Sequence, residues 1–175
     1  MKKLLLILLC LPMIGFGQQT YVPDDNFEAY LELVGMGNGI ANDDYVYTNS
    51  IDTCMHLDVS YQGIVDFTGI EAFTDLETLV CWAGYLPISD LDITNNHKLT
   101  HLTIAETNIT SLDLKNHSLT HLICVDNMYL NELIIDSLPS LLHLECYFNQ
   151  LFSLRIINNA NLIYLACQFN YLDSL

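Results

Sequence analysis

The chain has 175 residues, enough for one domain, and its 21 acidic residues outnumber five basic ones, which gives a formal net charge of −16. A surface of that sign repels nucleic acid and anionic lipid, so neither is expected as a partner. The acidity either serves solubility outside the cell or indicates a cationic or calcium-containing partner.

The first 17 residues predict a cleavable secretory signal. Two lysines precede the apolar run Leu4–Leu11, and small residues follow up to Gly17, after which cleavage is expected. The run is shorter than the roughly 20 residues that a membrane span needs. A buried N-terminal helix and lipidation at Cys10 are the alternatives, the latter disfavoured by the bulky residues before Cys10. No second span follows, so the mature protein is expected to be secreted or held at the cell surface.

Residues 18–50 predict an N-terminal cap region that contains one helix. Asp24 or Asp25 can begin the helix, and Asp25 with Glu28 fits a capping pair. Glycines at 35 and 37 end it. Its apolar side chains recur at helical spacing and predict one buried face: Phe27, Tyr30, Leu31 and Val34.

The segment after this helix, residues 37–44, is rich in side-chain oxygens. Calcium binding is one interpretation and a plain acidic loop is the other. The segment lacks the alternating acids and the final Glu of an EF-hand loop, which favours the plain loop.

Residues 51–175 repeat with a period of about 21 residues, the signature of a solenoid. The motif L-x-x-L-x-[C/I] recurs, and its second leucines, here called the first lane, are Leu79, Leu102, Leu122, Leu144 and Leu165. A degenerate earlier copy lies around Leu57. A second lane has an unvarying spacing of 21 residues: Leu91, Leu112, Leu133, Leu154 and Leu175.

Each lane is expected to supply one short strand or extended segment per repeat. Residues two apart point to the same face of a strand, so the leucines of stacked repeats form one apolar column. The chain direction is the same in every repeat, which predicts a parallel sheet in the first lane. Asn-rich turns follow the second lane at residues 94–96, 115–116 and 158–159. The last repeat stops at Leu175 without a C-terminal cap, as expected for a fragment or for an end that a partner covers.

These motifs resemble leucine-rich-repeat proteins, and more closely the secreted internalin-like repeat proteins of Bacteroidetes-type bacteria. The resemblance is carried by Leu119–Cys124 and Leu112–Leu114, and the blocks Val22–Phe27 and Val65–Phe73 are similar to that family's N-terminal segment. It covers roughly residues 20 to 175. It implies protein–protein interaction or adhesion and no catalytic residues.

Five cysteines remain after the signal, an odd number that argues against a complete disulfide framework. Four occupy the inward position of the motif: Cys81, Cys124, Cys146 and Cys167. Neighbouring strands lie about 4.8 Å apart, which holds parallel Cβ atoms wider than a disulfide prefers. We therefore expect buried thiols, since a ladder does not converge into a tetrahedral metal site.

The variable positions before each first-lane leucine face solvent and predict the recognition surface. Histidines recur there, at His56, His101, His121 and His143. Tolerated substitution, a charge response near pH 6, or metal binding would each explain them. Beyond the leucine, Trp82 and Tyr147 could be exposed anchors or pack under the turns, whereas Phe148 and Phe169 are expected to lean inward. The candidate ligand-binding residues are Trp82, His101, His121, His143 and Tyr147.

The sequence favours a binding or adhesion module for a protein or cell-surface ligand. It contains no nucleophile elbow, no H-E-x-x-H motif and no phosphate-binding glycine loop, so we expect no enzyme activity, no catalytic residue, no metal and no cofactor. Two alternatives remain: the substrate platform of a secreted hydrolase, and a structural spacer. An exposed aromatic patch would favour binding over a spacer, and a deep pocket with converging carboxylates would favour the enzyme.

Overall fold

A computed structural model describes residues 17–114, 118–136 and 138–173. The predicted signal therefore lies outside the described residues, except for Gly17, as do Lys115, Asn116 and Leu175. The described chain begins with a small cap of two antiparallel strands and two helices. Their bounds are β1 Gln19–Tyr21, α1 Asp25–Leu33, β2 Tyr45–Tyr47 and α2 Thr48–Ile51.

Asp24 begins helix α1 and ties the cap to the first repeat. Its Oδ1 accepts the amides of Asn26 and Phe27 at 3.0 and 2.9 Å, which satisfies two donors that the helix leaves open. Its Oδ2 accepts the amides of Val65 and Asp66 at 2.8 and 3.0 Å. One carboxylate thus fixes the angle between the helix and the repeats.

The predicted capping pair of Asp25 and Glu28 is wrong. The cap lies one residue earlier, and the buried Glu28 instead accepts the amide of Asp43 at 3.2 Å through Oε1. Glu28 is therefore drawn into the loop of residues 37–44. Sequence spacing alone could not separate two adjacent aspartates, because either one can occupy the N-cap.

The end of helix α1 agrees with the glycine signal. Gly35 adopts a φ of 79°, and the amides of Gly35 and Met36 donate to the carbonyls of Glu32 and Leu31, the pattern of a Schellman motif. The apolar face is narrower than predicted: Phe27 and Leu31 are fully buried, whereas Tyr30 is half-buried and Val34 is exposed.

The repeats form one parallel sheet of six strands, ordered β10-β8-β6-β5-β4-β3. The first-lane leucines, with Leu57 ahead of them, are register partners of one another, which confirms the predicted sheet. The strands are β3 His56–Asp58, β4 Thr78–Leu86, β5 His101–Thr107, β6 His121–Ile123, β8 His143–Glu145 and β10 Tyr164–Ala166. A 3-10 turn at Ile70–Ala72 precedes β4.

The second lane is regular only in part. Strands β7 Glu132–Asp136 and β9 Ser153–Ile157 pair in parallel, with Leu133 opposite Leu154. Leu91 and Leu112 are buried in segments without regular strand structure. The core is thus a leucine column between a continuous sheet and a looser second side.

A column of asparagines holds the turns after the sheet. The side chain of Asn149 donates to the carbonyls of Cys124 and Cys146 at 2.7 and 2.8 Å, and its Oδ1 accepts the amide of Asn127. Asn127 and Asn170 make equivalent bonds to their own neighbours. Asparagine side chains therefore pair the buried backbone groups of the turns that follow the strands.

The five described cysteines are all free thiols. Burial raises the pKa of Cys81 and of Cys146 to about 12, and it raises the pKa of Cys124 well above its usual range. Cys54 and Cys167 are half-buried. The expected burial thus holds for three of the four inward cysteines and only partly for Cys167.

Candidate functional site

Four aromatic rings stack in one row on the outer face of the sheet, the face opposite the buried leucines. The ring centroids of His101 and His121 are 4.4 Å apart, those of His121 and His143 are 5.5 Å apart, and those of His143 and Tyr164 are 4.3 Å apart. Parallel register places these residues opposite one another on successive strands. We call this set the histidine row.

Threonines hold the rings of two of these histidines. The hydroxyl oxygen of Thr100 lies 3.1 Å from the carbonyl oxygen of Glu77 and 2.9 Å from Nδ1 of His101. The hydroxyl oxygen of Thr120 repeats the arrangement, at 3.0 Å from the Thr100 carbonyl oxygen and 2.9 Å from Nδ1 of His121. In both rings a threonine hydroxyl engages Nδ1, which leaves Nε2 for a hydrogen bond with a ligand.

The third histidine belongs to a polar group of different character. Nε2 of His143 lies 2.7 Å from a carboxylate oxygen of Glu145, to which it donates. Desolvation, followed by the negative charge of Glu145, raises the pKa of Tyr147. His143, Glu145 and Tyr147 thus form one connected polar cluster beside the row.

Protonation of His121 is opposed by its surroundings. Desolvation lowers its pKa, and the neighbouring His101 and His143 lower it further. The net acidity of the chain predicts easier protonation, which is wrong for this residue. Desolvation and the two neighbouring rings act on His121 directly, whereas most acidic side chains of the chain are farther away.

Strand β4 places Trp82 on the same face, and Tyr147 lies at the equivalent position after β8. Both are half-buried. Between them stand Ala105 and Val125, which are fully buried although strand alternation points them outward, so larger neighbours cover the sheet there. The five predicted site residues therefore share one face, in two rows separated by the row of Val80, Thr103, Ile123 and Glu145.

The repeat spacing and the common register of the leucines now decide the architecture. The chain has the fold of a leucine-rich-repeat solenoid. No family model and no curated protein match the sequence. Among solved structures, this solenoid is similar to internalin C2 of Listeria monocytogenes, at 19% identity, with 91% of this chain and 92% of that one covered and a TM-score of 0.48.

Two further internalins of Listeria monocytogenes resemble the solenoid. One is the internalin inlF, at 20% identity, 89% and 72% coverage and a TM-score of 0.40. The other is the functional domain of InlJ, which includes a cysteine ladder, at 21% identity and a TM-score of 0.30. The solenoid covers 54% of that InlJ domain, about half its length.

The structure corrects the placement of two aromatic residues in the solenoid. Phe148 and Phe169 were expected to lean inward, yet they are 46% and 70% exposed. Both adopt a left-handed backbone, with φ of 54° and 57°, which turns the side chain away from the core. Neither residue is a glycine or asparagine, so the residue types carry no signal for this conformation.

Clustered metal ligands and membrane-spanning helices are both absent from the described part of the solenoid. Within residues 17–114, 118–136 and 138–173, no three histidine, cysteine or acidic side chains are grouped so as to hold a metal ion. In the same part of the chain, no helix is long and apolar enough to cross a membrane.

Proposed function

We propose that this chain is an extracellular binding module that contacts a protein or cell-surface ligand through the outer face of its first-lane sheet. The contact residues are Trp82, His101, His121, His143 and Tyr147. The observation that carries the proposal is the histidine row, in which three imidazoles and a tyrosine stack on a continuous parallel sheet. The fold itself supports the coarser statement that the chain is an interaction module.

The row suits recognition because its groups are held before a ligand arrives. Stacking and the threonine bonds restrict the imidazole rings, so little side-chain entropy is lost on binding. The stacked rings cover one another's faces and present their edges, including Nε2 of His101 and His121, and Trp82 and Tyr147 add the aromatic anchors that dominate many interfaces. Such a surface fits a partner that offers both apolar area and hydrogen-bonding groups.

Export is the second half of the proposal. The lysines and apolar run at the start of the chain support cleavage after Gly17. Expression in the native cell, followed by mass spectrometry of the extracellular fraction, should yield a peptide that begins at Gln18. Recovery of intact Met1 from the cytoplasm alone would contradict export.

The binding face is tested with an affinity-captured partner. We expect His121→Ala and Tyr147→Ala each to weaken the purified partner's affinity at least about tenfold, a loss of about 1.4 kcal/mol. Asp113→Ala, an exposed acid of the second lane, is the matched control and should change affinity less than twofold.

Two results would overturn the assignment of the face. A loss confined to Asp113→Ala would move the site to the second lane. No loss in any of the three variants would place the partner's contact outside both of these surfaces. A change in affinity between pH 5 and 7 in the wild type, absent in His121→Ala, would show that the imidazoles take part.

A further inference from the structure

A second row, separate from the histidine row, lies at or just beyond the C-terminal ends of the first-lane strands. Its six members all have a left-handed backbone, with φ between 54° and 63°. The residues of this row, which we call the aromatic–acidic row, are Tyr61, Tyr85, Glu106, Asp126, Phe148 and Phe169. A side chain at such φ carries a steric cost that glycine avoids, yet every position holds a large aromatic or an acidic residue.

Backbone hydrogen bonds explain why the chain bends at these positions. They do not explain why the positions hold aromatic and acidic side chains. Amides along the row donate to the next repeat, as Asp126 does to the carbonyl of Tyr147 at 3.3 Å and Phe148 to that of Gln168 at 3.1 Å. Glycine could make the same bonds with less strain. Aromatic rings held in solvent at this cost point to a use for the rings.

The rings of the row are exposed and ordered. Phe148 and Phe169 stack with centroids 4.3 Å apart and planes 8° from parallel. This contact covers one face of Phe148, and the ring of Tyr147 is nearly perpendicular to that of Phe148, with centroids 5.6 Å apart. Asp126 is the next member of the row beyond Phe148, and both residues line the same cleft.

Carboxylates stand directly beside these rings. The negative charge of Asp126, and to a smaller extent that of Glu106, raises the pKa of Tyr85, so both acids lie near its hydroxyl. Tyr85, Asp126, Phe148 and Phe169 line a cleft of about 230 Å³, together with the exposed Met128. Carboxylate, thioether and aromatic faces therefore meet in one concavity.

The cleft has no positive side chain of its own among its lining residues. Elsewhere on the described chain, Lys98 pairs with Asp75, and Arg155 pairs with Asp136. Aromatic faces attract cations, and a nearby carboxylate adds a charge-assisted hydrogen bond. A glycan would also stack on these rings and donate hydroxyl hydrogen bonds to the carboxylate, but a neutral glycan carries no positive charge to complement the acidic side chains.

We propose that this cleft binds an arginine or lysine side chain from a basic peptide segment of a partner, with the cation against the Asp126 carboxylate and the exposed part of the Phe148 ring. The inference deepens the proposed function, on which it rests for the class of partner, and it shares no residue with the histidine row. Arginine is favoured over lysine, because its flat guanidinium stacks on a ring and bonds a carboxylate at its edge.

The test is isothermal titration of the full chain with acetylated, amidated hexa-arginine at about 0.1 M salt, where distant charges are screened. We expect Asp126→Asn and Phe148→Leu each to weaken binding about fivefold, since Leu keeps apolar bulk but removes the π face. Asp113→Asn removes the same charge from the second lane and should weaken binding less than twofold. Unchanged circular dichroism and melting temperature confirm that each variant is folded.

Three outcomes would overturn the inference. Equal losses in Asp126→Asn and Asp113→Asn, with none in Phe148→Leu, would reduce the binding to net charge. Binding of a neutral glycan that Phe148→Leu abolishes, without hexa-arginine binding, would make the cleft a carbohydrate site. Full affinity of the captured partner for Asp126→Asn and Phe148→Leu, alongside losses in His121→Ala, would leave the proposed function standing and remove this cleft from it.

Discussion

At the scale of single residues, His121 shows how repetition changes a side chain's chemistry. Alone on a strand it would be an ordinary surface histidine. Between His101 and His143 it has a ring on either side, with centroids 4.4 and 5.5 Å away. A proton on either neighbouring ring then disfavours a proton on His121.

Desolvation and the neighbouring rings together give the folded state a pH dependence. The pKa of His121 is lowered in the folded chain, so the unfolded chain binds more protons as pH falls through the ordinary histidine range. The stabilising contribution of neutral His121 is therefore complete above that range and lost as pH falls toward the folded pKa. We expect wild type to lose more melting temperature between pH 7.5 and 5.5 than His121→Gln does.

The exposed His97 lies outside the row and is the control. His97→Gln should leave the pH dependence of the melting temperature unchanged. If the wild type and His121→Gln give parallel curves from pH 7.5 to 5.5, the lowered pKa of His121 has no effect on stability.

At the scale of strands and turns, the leucine lanes carry the stability. Leu122 is fully buried in the middle of the column. Leu122→Asp should cost at least about 4 kcal/mol or prevent folding, because it buries an unpaired charge. Thr103→Asp, on the outer face of neighbouring β5, should cost about 1 kcal/mol or less. Chemical denaturation measures both, and similar losses would contradict the assignment of the two faces.

The asparagine column is a separate source of stability at the turns. Asn149→Ala removes bonds to the carbonyls of Cys124 and Cys146 and to the amide of Asn127. We expect a loss of about 2 to 4 kcal/mol in the free energy of unfolding, since buried backbone groups are left unpaired. Asn161 makes one exposed bond to the carbonyl of Pro139, and Asn161→Ala should cost about 1 kcal/mol or less. Equal losses in the two variants would show that the column contributes no more to the free energy of unfolding than one exposed hydrogen bond does.

The elements also show what a sequence reveals of such a fold. Strand register was predictable, because every first-lane leucine lies in the same motif and successive first-lane strands all run in the same direction. Alternation then predicted that Phe148, four residues after Leu144, points inward. The left-handed bend at Phe148 breaks the alternation and turns the ring outward. The residue type does not indicate this bend, because backbone hydrogen bonds between repeats impose it.

The candidate site was predictable to a similar degree. The recurrence of T-H-L in successive repeats is sufficient to predict that His101 and His121 lie in one row. The orientation of the rings was not predictable, because it depends on hydrogen bonds to the hydroxyls of Thr100 and Thr120, which also contact carbonyls on the neighbouring strand. The cleft beside Asp126 was not predictable either, because its lining residues come from four repeats and belong to no single motif.

At the scale of the whole molecule, the cysteines form a line through the core instead of a set of cross-links. Under native conditions at pH 8, the three buried thiols should resist alkylation, whereas Cys54 and Cys167 should react first. Denatured mature protein should show about five reactive thiols by mass spectrometry. Two intramolecular disulfides in the native protein would contradict this arrangement.

The position of Trp82 gives the molecule a built-in optical reporter. It is the one tryptophan of the chain, and it stands half-buried on the outer face of β4, the face that also carries the histidine row. Its indole emission depends on contact with water, so a ligand that settles on this face should shift the emission to shorter wavelength, whereas unfolding should shift it to longer wavelength. Occupancy of the face and loss of the fold can thus be followed in one unlabelled sample, as changes of opposite sign.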